Sequence, residues 1–372
     1  MNRLTWLPQE AVVWGEDVLA GTLARLGDHG FERPIVFTVG ALEEMSSRLV
    51  RPHLEGAVGS LSAFEAHAPD TSIRRGLESC IDSGAGSIVA HGGGSVLDAA
   101  KAVSYLHHQR TGRFLPIAAL PTTLSGSEFS HYFGITETSG VQRFKRSYAV
   151  RESVPRVVVL DPVLLTATPR ALLLSSTIKG IDHAVEGMRR VAADHPHAIM
   201  AAQGVQRFFA ILERWPETLE IRDALQSGAV TMDDLLGLQL SAWQCYFFPA
   251  SVIYGLSHRI GHVLGGTFGL PHSLTSCITL APVIRACAAL YRERLGPFAP
   301  EGVGAEAVPL LAHRIARLVR TLGLPHRIGL LGLERARLPE VAALLKRSYP
   351  DEVGDLGADA ERRLDLLLEE LW

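Results

Sequence analysis

Three histidines with the spacing of working groups, His258, His262 and His272, fall in the stretch 257–272. His258 and His262 are four residues apart and share one face of a helix, and His272 follows a Gly265-Gly266 break that can turn the chain back toward them. Such a cluster can hold a divalent metal ion, or set a proton donor beside a substrate carbonyl. A pair of packed helix histidines has the same spacing, so the cluster takes its meaning from the rest of the chain.

Two earlier segments supply a second kind of chemistry. Residues 87–101 read as a strand, the turn His91-Gly92-Gly93-Gly94-Ser95, and the start of a helix. Glycines let a diphosphate approach the backbone, and a helix amino end offers N–H groups and the positive end of its dipole. The next strand runs into Leu120-Pro121-Thr122-Thr123-Leu124-Ser125-Gly126-Ser127-Glu128, whose hydroxyls suit ribose or phosphate and are equally ordinary turn formers. Loops at successive strand ends outline one cleft. Asp98 and Glu128 have two readings by spacing, as carboxylates complementing a helix dipole or as ligand contacts.

The elements that must position these residues change type along the chain. Short apolar, β-branched runs at 33–39, 87–90, 115–120 and 156–160 alternate with helical stretches, which predicts a parallel, doubly wound sheet. Beyond Asp161-Pro162 the periodicity turns helical at 172–191, 198–215, 232–243 and 307–322. With 372 residues, two domains are expected, 1–165 and 166–372.

A net charge of −3 gives no electrostatic case for nucleic acid or an anionic membrane, and no window offers the roughly twenty apolar residues of a membrane helix. Cys80, Cys245, Cys277 and Cys287 form no CxxC pair and the first residues lack an apolar signal core, so a cytoplasmic protein with reduced thiols is expected. Only Lys101, Lys145, Lys179 and Lys346 are lysine among 36 basic residues. In so arginine-rich a chain, a lysine can mark a place where the compact ammonium is required.

In their order, and over most of residues 10–290, Gly92-Gly93-Gly94-Ser95-Val96-Leu97-Asp98-Ala99-Ala100-Lys101, Pro121-Thr122-Thr123-Leu124-Ser125-Gly126-Ser127-Glu128, Asp161-Pro162, His183-Ala184-Val185-Glu186 and the histidine run resemble the iron-containing (group III) alcohol dehydrogenases. Ser125-Gly126-Ser127-Glu128 with residues 132–137, and residues 262–272, are similar to the maleylacetate reductase branch. The resemblance implies that family's dehydroquinate synthase-like fold: an α/β dinucleotide-binding domain with a parallel doubly wound sheet, an all-helical carboxy-terminal domain for metal and substrate, and an active site in the cleft between them. It implies NAD(H) or NADP(H) bound by Gly93, Gly94, Ser95, Thr122, Thr123 and Lys145, the last lying ten residues before Pro155 as the family's nucleotide lysine does before its own proline. It makes His183, His258 and His272 ligands of iron or zinc, and His262 the histidine beside the nicotinamide that helps move the proton.

Two departures from the family pattern bear on mechanism. Where metal-using members carry an aspartate, four residues before the histidine matched by His183, this chain has Lys179. A cationic side chain there repels a divalent ion and removes a ligand, so the Lys179 ammonium is expected to fill the volume of the metal and polarise the carbonyl in its place. The competing expectation turns Lys179 outward or pairs it with Asp182 or Glu186, with three histidines still holding a metal. At the end of the first dinucleotide-domain strand, Val39 stands where an aspartate usually holds the adenosine ribose, which admits NADPH. Arg259 matches a position that is often lysine in maleylacetate reductases and would meet a substrate carboxylate, yet residue i+1 of a helix faces away from residue i, which favours an exposed or domain-bridging role. His67, His91, His131 and Tyr132 are further candidates for the cleft, each also readable as packing.

The expected activity is an NAD(P)H-dependent oxidoreductase on a small carbonyl or alcohol, maleylacetate reductase-like or alcohol dehydrogenase-like, with Lys179 and His262 catalytic. The alternative is a non-redox lyase or cyclase on the same fold, with Lys179 and the histidines as acid and base. The expected partners are a small-molecule substrate and a second copy of the chain in a homodimer, with no nucleic acid and no membrane.

Overall fold

Six short strands carry the glycine turn and the hydroxyl loop. The computed structural model describes residues 5–65, 68–138, 144–248, 253–299, 302 and 306–372, with side chains except at Phe144, Lys145 and His272. The chain divides into two compact units, Met1–Pro169 with Glu220–Leu240, and Arg170–Leu219 with Ser241–Trp372.

In the first unit, β1 (Ala11–Trp14), β2 (Pro34–Phe37), β3 (Gly59–Leu61), β4 (Ser87–Gly92), β5 (Ile117–Pro121) and β8 (Val157–Leu160) form one parallel sheet in the order β1-β8-β5-β4-β2-β3. Every residue of β2, β4, β5 and β8 is buried, as expected of strands covered on both faces, and this is why they read as unbroken apolar runs. In register, Val36 lies beside Val89, Val89 beside Ala118 and Ala118 beside Val157. Leu19 and Leu23 of α1 (Val18–Ala24) pack on these strands. Two longer helices follow, α2 (Asp70–Ser83) and α3 (Gly94–Thr111).

A separate antiparallel hairpin joins β6 (Tyr132–Glu137) to β7 (Phe144–Ala149). The sequence pattern showed neither it nor the edge strands β1 and β3. β3 and the hairpin are short and partly exposed or polar, so they lack the apolar runs that marked the central strands, whereas β1 is a four-residue apolar run, Ala11-Val12-Val13-Trp14, that is only partly buried at the sheet edge.

Asp161 shows how the loop after β8 is held. It is 2 % exposed, one carboxylate oxygen accepts the Val163 N–H at 3.1 Å, and the other accepts the Leu19 N–H at 3.0 Å. The same side chain thus caps the turn that starts at Pro162 and fixes the first turn of α1.

The second unit is built from helices, among them α4 (Arg170–Glu186), α5 (Pro196–Leu212), α7 (Leu256–Gly266), α8 (His272–Ala286), α9 (Ala307–Thr321), α10 (Leu338–Ser348) and α11 (Ala360–Leu371). Between them in the chain lies α6 (Met232–Cys245). Every residue of α4 from Leu173 to Glu186 is buried, and α4 packs against α5, α7 and α8. A helix enclosed on all sides must pair any charge it carries. Among the described residues, no helix is long and apolar enough to cross a membrane.

Replacing Asp161 by alanine leaves two backbone donors without their acceptor, so unfolding free energy should fall by about 1–3 kcal/mol. A denaturant titration reads this directly, and an unchanged midpoint would remove the capping role.

Candidate active site

The first unit brings the glycine turn and the hydroxyl loop into contact. The Gly93 carbonyl accepts the amides of Val96 and Leu97, so α3 starts at the turn itself. A Cβ on Gly93 would sit 2.9 Å from Thr123 Cγ2 and 3.1 Å from its Oγ1, and one on Gly92 would sit 2.6 Å from Val96 Cγ2. Glycine is therefore required at both places by close approach. The Thr122 amide donates to the Gly92 carbonyl at 3.1 Å, and the Thr168 hydroxyl closes on the Thr122 carbonyl at 2.6 Å. A bare glycine turn, a helix amino end and adjoining hydroxyls fit a dinucleotide diphosphate.

Gly93, Gly94, Thr122 and Thr123 belong to this surface, with Ser95 half-buried in the first turn of α3. Lys145 lies on β7 opposite Thr136, and its side chain lies outside the described residues. Asp98 is engaged by protein: it accepts the Ser127 hydroxyl at 2.6 Å and the Gly134 amide at 3.3 Å.

Glu128 is 1 % exposed and its Oε2 has no hydrogen-bond partner, and burial, only partly countered by its own backbone N–H and then by Lys101, pushes its carboxyl up to about 7. His91 is fully buried in β4 and has no partner at either ring nitrogen, and burial holds it near 4, as a neutral core imidazole. His131 is also buried and lowered to about 4 by burial and then by Arg151 and Lys101, while Tyr132 is exposed. His67 lies outside the described residues.

The second unit assembles the catalytic candidates on α4 and α7. Lys179, Asp182, His183 and Glu186 recur at three- and four-residue spacing, so they share one face of α4. Lys179 is 3 % exposed and its Nζ lies 2.9 Å from Asp182 Oδ2 and 2.9 Å from His258 Nδ1. Ser276 of α8 donates to the same Asp182 oxygen at 2.8 Å. Burial, the largest single influence, favours protonation of Asp182, but the charges of Lys179 and His183 and the hydrogen bonds from Lys179 and Ser276 together outweigh it and hold the carboxyl below its ordinary range.

Burial, then the Lys179 charge, lowers His183 to about 3 and takes His258 well below the usual imidazole value. Neutral His258 accepting at Nδ1 is assigned the tautomer with its proton on Nε2.

His258 is also held through its backbone. Its N–H donates to Glu186 Oε2 at 3.2 Å, while Tyr291 Oη donates to Glu186 Oε1 at 2.8 Å. A Cβ on Gly255, just before α7, would come within 2.8 Å of Oε2, so only glycine lets the helix start so close to that carboxyl group. Burial and Asp182 raise Glu186 to about 8.

Tyr254 stacks on His258 with ring centroids 4.7 Å apart, Tyr246 meets the His183 ring at 4.6 Å, and His262, half-buried, follows His258 at 4.5 Å. Neither tyrosine carried a motif, although Tyr254 continues the four-residue spacing of His258 and His262 backwards. Arg259 pairs with Glu352 at 2.9 Å and lies over the Tyr349 ring, so it packs within its own unit.

A divalent ion asks for several anionic or neutral donors turned to one point. Here His258 Nδ1 and Asp182 both face an ammonium, and among the described residues no three His, Cys, Asp or Glu side chains converge as ligands. The described residues therefore do not fit a divalent ion. The His272 side chain lies outside them.

Residues 9–162 match the model of iron-containing alcohol dehydrogenases, and residues 174–348 match the model of the carboxy-terminal part of the Fe-containing alcohol dehydrogenase family. The chain is 31% identical to maleylacetate reductase of Pseudomonas aeruginosa over 360 residues, 94% of this chain and 93% of that one. It is 29% identical to maleylacetate reductase 1 of Cupriavidus pinatubonensis over 344 residues, 91% of this chain and 90% of that one. Among solved structures, a putative alcohol dehydrogenase from Ralstonia eutropha superposes with a TM-score of 0.83 at 25% identity, covering 100% of this chain and 98% of the other.

Glu128 permits a test of the first unit. Its carboxyl is raised in the folded state, so its contribution to stability is full below the unfolded value of 4.5 and is lost as pH rises through about 7. The loss is on the order of 3 kcal/mol for a shift of this size. Glu128→Gln keeps the neutral shape, so its melting temperature should fall less than wild type's between pH 5 and pH 8. Parallel melting curves would sink this reading.

Proposed function

This chain belongs to the iron-containing alcohol dehydrogenase family and is an NAD(P)-dependent oxidoreductase, and we propose that it reduces a small carbonyl compound, acidic or enone-bearing, with the Lys179 ammonium standing in for the divalent ion. The observation that carries this is the buried Lys179 Nζ at 2.9 Å from both Asp182 and His258. An ammonium has three N–H donors, and these contacts take two. The third is left for a substrate oxygen.

Bound NAD(P)H supplies the hydride to the carbonyl carbon. As the carbon–oxygen π pair moves onto oxygen, Lys179 stabilises the growing negative charge with a charge-assisted hydrogen bond. Asp182, held acidic by that same ammonium, keeps the lysine oriented, and His258 fixes it from the other side. His262, half-buried one helical turn on, relays the proton that completes the alcohol. Gly93, Gly94, Ser95, Thr122, Thr123 and Lys145 hold the dinucleotide. Val39, extended after β2, sets no carboxylate against a 2′-phosphate, so NADPH is accepted beside NADH.

Three measurements bear on this. Lys179→Met should lower kcat by about a hundredfold or more, the usual loss for one donor to a developing oxyanion. Elemental analysis of purified protein should find no stoichiometric metal, and one tightly held zinc or iron per chain would overturn the lysine mechanism. Val39→Asp should raise KM for NADPH by about tenfold with little change for NADH. A protein that bound neither nucleotide but converted a carbonyl substrate without nicotinamide oxidation would point instead to a lyase or cyclase.

A further inference from the structure

Lys101 has no place in the chemistry above, yet it is fully buried in the second turn of α3. Its Nζ lies within hydrogen-bond distance of the Tyr132 carbonyl at 2.6 Å, the Ser127 hydroxyl at 2.8 Å and carbonyl at 3.0 Å, and the Ser130 carbonyl at 3.2 Å, among which its three N–H donors are shared, and it lies 3.3 Å from Asp98 Oδ1. Asp98 completes the lattice: its Oδ1 accepts the Ser127 hydroxyl and its Oδ2 the Gly134 amide. One ammonium and one carboxylate, three residues apart on α3, therefore bolt that helix to residues 127–134.

Those residues join two elements assigned to the dinucleotide. Upstream is the hydroxyl loop with Thr122 and Thr123, and downstream is the hairpin whose return strand carries Lys145 opposite Thr136. The helix itself starts at the glycine turn. We infer that Lys101, with Asp98, is the positioning residue of the dinucleotide site: it sets glycine turn, hydroxyl loop and hairpin in one geometry while touching no part of the cofactor. This inference rests on the dinucleotide reading given above.

The physical case is one of cost and shape. Burying an ammonium is expensive, and an apolar side chain of similar length would pack there more cheaply if stability alone were at stake. A tetrahedral ammonium spreads its donors over acceptors on three sides, whereas a planar guanidinium cannot. That is why lysine stands here in a chain whose basic residues are nearly all arginine.

The test measures nucleotide binding and steady-state kinetics for wild type, Lys101→Met, Lys101→Arg and Asp98→Asn, with thermal melts as a control for folding. Wild type must first bind NADH or NADPH, seen as a change in nicotinamide fluorescence; binding of neither sinks the dinucleotide reading itself. Given binding, Lys101→Met and Lys101→Arg should raise Kd and KM for the nucleotide by about tenfold or more, with kcat at saturating nucleotide within about threefold of wild type. Asp98→Asn should show the same split to a smaller degree. Folded Lys101→Met with wild-type nucleotide affinity, rescue by Lys101→Arg, or a fall in kcat at unchanged KM would each overturn the inference. If Lys101→Met does not fold, Ser127→Ala replaces it, with a roughly threefold rise in Kd expected and an unchanged Kd overturning it.

Discussion

The second unit depends on one contact, the Lys179 ammonium lodged between Asp182 and His258 inside a helix with no exposed face. A lone charge there would cost several kcal/mol, and the ion pair offsets that cost only because each partner has further partners. Ser276 shares the Asp182 oxygen, and His258 is neutral, so it takes the lysine proton as an acceptor. The orientation of His258 follows from this contact, and Glu186 and Gly255 set its backbone to match. His262 inherits its place one turn further along α7.

The first unit solves the same problem with another buried lysine, Lys101. Lys101 is surrounded mainly by backbone carbonyls, with the Ser127 hydroxyl and the Asp98 carboxylate beside them, so its charge ties chain segments together instead of facing a reaction. Lys346, by contrast, pairs with Asp365 at the surface, where exposed ion pairs contribute little. Two lysines of one chain thus have opposite uses, and burial alone does not tell them apart. What does is the company each keeps beside its carboxylate: an imidazole for Lys179, three backbone carbonyls for Lys101.

Legibility in the sequence followed burial. The central strands and the long helices were visible because continuous apolar runs and three-and-four periodicity are consequences of being covered. The β6–β7 hairpin was not, since the described side chains of β7 are exposed or half-buried and both strands mix polar residues such as Thr136, Arg146 and Ser147 among the apolar ones. Nor did the chain advertise that residues 220–240 belong with the first unit, because the path of a helix back to an earlier domain leaves no mark on local composition. Of the site, the glycine turn, the hydroxyl loop and the histidines were recognisable by type and spacing. Tyr246, Ser276 and Tyr291 were not, because each acts through a partner distant in sequence, and Tyr254, four residues before His258, belongs to no motif.

By itself, the sequence determined the chemistry available: a glycine turn and hydroxyls suited to a diphosphate, histidines at helical spacing, and a lysine where the family pattern puts an aspartate. Spacing along one helix also placed Lys179 and Asp182 within reach of each other. Only the tertiary structure decided that Lys179 turns inward to His258 of another helix, and that Asp98 faces Ser127 and Gly134. The reason is that a side chain's direction within a buried helix is set by which neighbours can satisfy its charge. Those neighbours, 79 residues away for Lys179 and 36 for Asp98, are chosen by packing and not by local pattern.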